Sequence, residues 1–154
     1  MVVNGSGHGS RRHPLIVTDR NLIGPWVAGK MFGTWNPHSQ CIGLVHDHSI
    51  MAGVTYDNWN GVSVHASIAV DGMLTPGFLA AIFHYPFIFL GAKKVICTVA
   101  EGNEESVNLV EKMGFRKEAQ LLDAHPDGSL LIYTLNRENC RFIGDRYVKK
   151  LKLH

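Results

Sequence analysis

The run Asn103-Glu-Glu-Ser106-Val-Asn-Leu109-Val110-Glu-Lys112-Met-Gly114-Phe115 reads as a short helix with both ends marked. Asn103 is placed to cap the first free amides, Glu104 and Glu105 stand at the positive end of the helix dipole, and Gly114 offers the left-handed stop. An apolar strand, Val95-Ile-Cys-Thr-Val99, precedes it and an alternating segment follows. A capped helix start at the end of a strand can seat a polar or anionic group of a ligand.

Upstream of that strand lies a second marked helix. Thr75-Pro76 supplies an N-cap followed by proline at the first helical position, and Leu79, Ile82, Phe83, Phe87 and Leu90 share its apolar side. Pro86 is expected to kink it, since the amide that would bond the Ile82 carbonyl is missing, and Gly91 to end it. Before it runs Val62-Ser-Val-His65-Ala-Ser67-Ile-Ala-Val70, with Val62, Val64, Ala66, Ile68 and Val70 on one face and Ser63, His65, Ser67 and Ala69 on the other. Asn60-Gly61 is a type I′ turn signal leading into this strand, and Gln40–Val45 and Ile50–Tyr56 around His46-Asp47-His48 read as a hairpin. The three strands form an antiparallel meander.

A strand, a helix and a further strand make a crossover unit, so Val62–Val70 and Val95–Val99 are expected to lie parallel. The starts of the helices at Thr75 and Asn103 then open at one edge of the sheet. Leu15–Val17 is a short strand. Residues 19–32 are helical, with Pro25 expected to divide them into two short helices. A hairpin closed by Asp127-Gly128 joins strands over about 118–124 and 129–136, and a last helix is expected over 137–147. The order is β-α-βββ-α-β-α-ββ. The fold class is α/β (α+β): a mixed sheet with an antiparallel meander, a central parallel pair and a C-terminal hairpin.

The chain has 154 residues, 45% hydrophobic and 18% charged, which suits one globular domain with a proper core and excludes disorder. The domain is expected over 14–154, after a polar, Gly-rich stretch at 1–13 that reads as a flexible arm or an expression remnant rather than a signal peptide. A net charge of +2 argues against nucleic acid as partner. The cations Arg141, Arg146, Lys149, Lys150 and Lys152 nevertheless crowd the end, as a solvated tail or a phosphate contact. Cys41, Cys97 and Cys140 lack metal-ligand spacing; Cys41 and Cys97 sit in apolar runs and read as buried thiols, which fits a reducing, cytoplasmic setting. Residues 76–90 are short for a bilayer and carry His84 and Pro86, so a buried helix is expected instead of a span.

Taken together, this order and the motif Asn103-x-x-Ser106-x-x-Leu109-x-x-Lys112-x-Gly114-Phe115 resemble the Gcn5-related N-acetyltransferase (GNAT) superfamily over about residues 14–140. Ile132-Tyr133-Thr-Leu135-x-Arg137 resembles the family's end-of-domain strand. The segments His65-Ala-Ser-Ile-Ala, Tyr85-Pro-Phe and His125-Pro-Asp-Gly128 resemble members encoded by tailed bacteriophages, which would place the protein in the host cytoplasm. The resemblance implies acyl-coenzyme A lying between the two parallel strands. Its pantetheine would meet Ile68 and Val70, its pyrophosphate Met73, Thr75 and Gly77, with Asn103 and Ser106 beside it. Two departures stand out. The family's glycine-rich pyrophosphate loop is replaced by Val70-Asp-Gly-Met-Leu-Thr-Pro-Gly77, where Asp71 adds a negative charge and Pro76 removes an amide. Val110 stands where the family often has a tyrosine that protonates the leaving thiolate.

The implied reaction is attack of an amine on the thioester of acetyl-coenzyme A, which needs a base, an oxyanion donor and an acid. His65 is the first candidate base, since histidine titrates near neutrality. Ser67 shares its face and can relay through water, and Tyr133 is the candidate at the substrate mouth. Each has an ordinary alternative: a hydrogen-bonded structural histidine, a small polar strand residue, an amphipathic strand tyrosine. His46-Asp47-His48 invites a metal reading, but neighbours in a tight turn diverge, and no metal is expected. The expected partner is an amine-bearing acceptor; a homodimer is compatible with the chain and a membrane is not expected. The competing readings are a binding module on the same fold, engaging a host protein without catalysis, and a nucleic-acid contact through the basic end.

Overall fold

The computed structural model describes residues 13–151. The arm expected at 1–13 therefore lies, His13 apart, outside the described residues, as does Lys152. The chain runs β1 (Leu15–Val17), α1 (Arg20–Lys30), β2 (Gln40–His46), β3 (Ser49–Asp57), β4 (Ser63–Val70), α2 (Pro76–His84), β5 (Lys94–Ala100), α3 (Glu104–Lys112), β6 (Arg116–His125), β7 (Gly128–Asn136) and α4 (Asp145–Leu151). One seven-stranded mixed sheet has the order β1-β2-β3-β4-β5-β7-β6. Every neighbouring pair is antiparallel except β4 and β5.

The face of the sheet that carries Val54, Val64, Val95 and Leu135 is covered by α2 and the turn that follows it, where Phe78, Phe83 and Phe87 are fully buried. Phe83 stacks on Phe142 at 5.0 Å between ring centroids, and Phe142 meets Tyr147 of α4 edge-on at 5.0 Å. Full burial of such rings stabilises by about 2–3 kcal/mol each. The opposite face is covered over β2–β4 by α1, whose Ile23 and Val27 pack with Cys41 and Ala69. Two glycines paired in register, Gly43 and Gly53, bring that helix close. A Cβ on Gly43 would come within 2.1 Å of Ile23, and one on Gly53 within 2.8 Å of Val27.

The structure corrects the expectations at three places. Residues 20–30 form one helix rather than two. Asp19 caps it by accepting from the amides of Asn21 and Leu22, and Pro25 is accommodated inside. Asn60-Gly61 does not close a two-residue turn: β3 ends at Asp57 and β4 begins at Ser63, so Val62 is outside the strand and exposed. Asn60 Oδ1 instead accepts from the amides of Val62 and Ser63 at 2.9 and 2.8 Å, shaping a wider loop. The two-residue turn is at Asp47-His48, both left-handed with φ of 51° and 66°. Finally, 137–147 is not one helix: two 3₁₀ turns, Arg137–Asn139 and Arg141–Ile143, precede α4.

Pro86 acts differently from a simple kink. After His84 the helix widens into a π turn over Tyr85–Phe89, with the Leu90 amide donating to the Tyr85 carbonyl at 3.0 Å. The Ile82 carbonyl, which would face the missing proline amide, accepts from the buried Tyr56 hydroxyl of β3.

Candidate active site

The parallel pairing of β4 and β5 is short. Ser63, Val64 and His65 pair with Lys94, Val95 and Ile96, and the ladder then stops. β4 continues to Val70 on β3, and β5 continues to Ala100 on β7. The sheet therefore opens as two half-sheets hinged at His65 and Ile96. The β4 backbone past the hinge has no strand partner on its β5 side among the described residues. Both strands end at this opening, where the connections to α2 and α3 begin.

A cavity of about 490 Å³ fills the mouth of the opening. Ile68, Ala69 and Val70 line it from β4, and Asn103, Ser106 and Leu109 from α3. Asn103 Oδ1 accepts from the Ser106 amide at 3.1 Å, so the cap expected from the sequence is present. Asn103 also lines the cavity at the helix start. The far wall is made by Lys30 and Met31 at the end of α1 and by Asp71 just past β4. Lys30 Nζ and Asp71 Oδ2 form an ion pair at 3.0 Å, both about half exposed. The Asp71 charge that opposed an anionic ligand is thus balanced by a residue from a distant part of the chain. A larger hollow of about 750 Å³, lined by Ser63, Lys93, Lys94 and Arg137, lies at the closed end of the parallel pair. There the strands are already hydrogen-bonded and expose no free backbone edge.

Ile68, Val70, Asn103 and Ser106 are thus brought together. Met73, Thr75 and Gly77 do not line this cavity. Thr75 Oγ1 accepts from the Phe78 amide at 3.1 Å as the cap of α2, Gly77 is buried in the first turn and Met73 is exposed. The wall residues Lys30 and Met31 carry no signal in the sequence, because only the packing of α1 on its glycine floor delivers them. Lys112, at the end of the motif, also lines the cavity.

The three catalytic candidates separate into two groups. His65 pairs with Asp57 on one side and Ile96 on the other, so these side chains share the α1 face. His65 is exposed there, and Ser67 lies one pleat further on. A small polar cavity of about 70 Å³ links Ser67 with Asp57, Thr55 and Trp35. Asp57 Oδ1 accepts from Asn36 Nδ2 at 3.1 Å and from the Ser39 hydroxyl. The buried Trp35 Nε1 has no partner among the described residues. Such a space has room for a water held by polar groups.

Tyr133 pairs with Cys97 and projects to the other face, buried against α3. Its hydroxyl donates to Glu111 Oε2 at 2.7 Å. Burial and the Glu111 carboxylate push its pKa up to about 12. Val110 is buried beside it in the core. The Cys97 thiol is pushed up to about 12 by burial, which makes it inert as a nucleophile. Among the described residues no three His, Cys, Asp or Glu side chains are grouped to hold a metal. No described helix is long and apolar enough to cross a membrane.

The strand order, the single parallel pair that splays and the capped helix start at the splay agree with the fold that the resemblance implied. No family model matches the chain and no curated protein matches it by sequence. Solved structures do match. A probable acetyltransferase aligns with a TM-score of 0.53 at 22% identity over 65% of this chain, which spans only 62% of that protein. A Vibrio cholerae spermidine N-acetyltransferase chimera aligns at 0.63 with 12% identity over 88% of this chain and 98% of its own. A Campylobacter jejuni N-acetyltransferase, solved with acetyl coenzyme A, aligns at 0.50 with 14% identity over 66% of this chain and 70% of its own. At these identities the likeness is one of fold.

Proposed function

We propose that the protein is an N-acetyltransferase that moves an acetyl group from acetyl-coenzyme A to a primary amine. The observation that carries this reading is the splayed β4–β5 pair, with an unpaired strand edge and the Asn103-capped start of α3 facing one cavity. The β4 edge offers amides and carbonyls to an amide-bearing arm, and Asn103 and Ser106 offer polar contacts across it. The amine nitrogen would bond to the thioester carbonyl carbon, the carbon–sulfur bond would break with its electron pair leaving on the coenzyme A sulfur, the amine proton would pass to a base, and the thiolate would take a proton from water and depart as coenzyme A.

In this reading His65 is the base, at the hinge where the strands part, with Ser67 and the Asp57 cavity as a path for the proton. Tyr133 supports α3 through Glu111. The acceptor would enter over the α1 face, which is open at β5 and β7. The reading extends to one domain over 14–154, a cytoplasmic setting and a homodimer. Its bacteriophage origin rests on the three short segments around His65, Tyr85 and His125.

Thermal unfolding with acetyl-coenzyme A, together with mass detection of acetylated products from an amine panel, tests the proposal. A saturable rise in Tm and an acetylated amine are expected. An unchanged Tm at about millimolar donor, far above the Kd that a measurable shift requires, would overturn it.

A further inference from the structure

The chain between Asp71 and Gly77 contains no cation, and Lys30 is already engaged with Asp71. A donor with several phosphates needs positive charge from elsewhere. A second cavity, about 470 Å³, lies between the start of α2 and α4, lined by Pro76, Arg146, Tyr147, Lys149 and Lys150. It contains three cations and no carboxylate. Pro76 is five residues beyond Asp71, so the two cavities are at most about 18 Å apart along the connecting chain.

The three cations stand on one short helix. Arg146, Lys149 and Lys150 stand at i, i+3 and i+4 of α4 and so share a helix face. Tyr147 anchors the helix on Phe142, and the Arg146 guanidinium lies 5.7 Å from the Tyr147 ring centroid. None of the three forms an ion pair among the described residues, and all three are exposed. Like charges at this spacing disfavour a short helix. The helix dipole accounts for Lys149 and Lys150 in the last turn but opposes Arg146 in the first. Asp145 in the first turn and the two lysines in the last suit the helix, but Arg146 does not, and three cations lining one cavity without a carboxylate fit a polyanionic ligand.

We propose that Arg146, Lys149 and Lys150 bind the nucleotide phosphates of the coenzyme A donor, replacing the cradle that the 71–77 connection does not provide. This rests on the donor reading above. Guanidinium and ammonium groups on a phosphate form charge-assisted bonds, the arginine in bidentate fashion.

The test is calorimetric titration of the full chain with coenzyme A, 3′-dephospho-coenzyme A and a short single-stranded RNA, repeated on the triple variant R146Q/K149Q/K150Q. Circular dichroism and Tm of the variant check the fold, which exposed side chains should leave intact. The wild type is expected to prefer coenzyme A over its dephospho form. The variant is expected to bind coenzyme A at least about tenfold more weakly and to lose that preference. Undiminished binding of coenzyme A by the folded variant overturns the proposal while leaving the donor reading in place. If the wild type binds no coenzyme A, both fall. Binding of RNA alone, lost in the variant, assigns the patch to nucleic acid and overturns it too.

Discussion

At the scale of the residue, the geometry sorts side chains that look equivalent in the sequence. His65 and Tyr133 are both catalytic candidates in the sequence, the first as a base and the second at the substrate mouth, and strand alternation sends them to opposite faces. His65 is exposed at the hinge, whereas Tyr133 is buried and spends its proton on Glu111. The two substitutions should therefore differ in kind. His65→Gln is expected to lower kcat about 100-fold, the usual contribution of a general base, while leaving donor binding intact. Full activity of His65→Gln at neutral pH would remove His65 from the mechanism. Asn103 was read as a cap and as a ligand contact, and the geometry allows both, since its carbonyl oxygen holds the Ser106 amide while the residue lines the cavity. No local signal marks Lys30, because its meeting with Asp71 joins the end of one helix to the end of a strand forty-one residues away.

At the scale of the element, the ends of α2 and α3 follow from local chemistry. Thr75 and Asn103 cap them, and Gly114 takes φ of 101° where a side chain would be strained. The middle of the chain after His84 does not. Proline chemistry alone forecasts a broken helix, but the freed Ile82 carbonyl is satisfied by a tyrosine from a strand on the facing sheet. Tyr56→Phe should consequently destabilise the fold by about 1–3 kcal/mol, the penalty for a buried acceptor left unpaired. Adding Pro86→Ala should shrink that loss, because a restored amide gives the carbonyl a local donor. Urea denaturation of the two single variants and the double variant measures the coupling. Strictly additive effects would show that the Tyr56 hydroxyl does not serve this carbonyl.

At the scale of the whole molecule, burial makes the fold sensitive to alkali. Desolvation raises the thiol of Cys97 from 9.0 to about 12 and the phenol of Tyr133 from 10.0 to about 12, and it raises Tyr56 strongly as well. In the unfolded chain these groups lose their protons at their ordinary values. Between about 9 and 12 the folded state therefore holds more protons, and stability must fall as pH rises through that window. Urea midpoints at pH 7 and pH 10 are expected to show the loss, with a smaller slope in Cys97→Ala. A flat profile would mean that these groups are hydrated in the folded state.

The order of strands and helices, the parallel central pair, the faces of β4 and the capped start of α3 were legible in the sequence, because alternation, turn residues and caps act over a few neighbours. The splay after His65, the Lys30–Asp71 pair, the glycine floor beneath α1 and the basic cavity beside α2 were not. Each depends on where two distant segments come to rest, and that is set by the competition of β3 and β7 for the two halves of the sheet and by packing around Phe83 and Ile23. Local sequence determines what each element is; tertiary packing decides where the sheet opens and which charges stand around the opening.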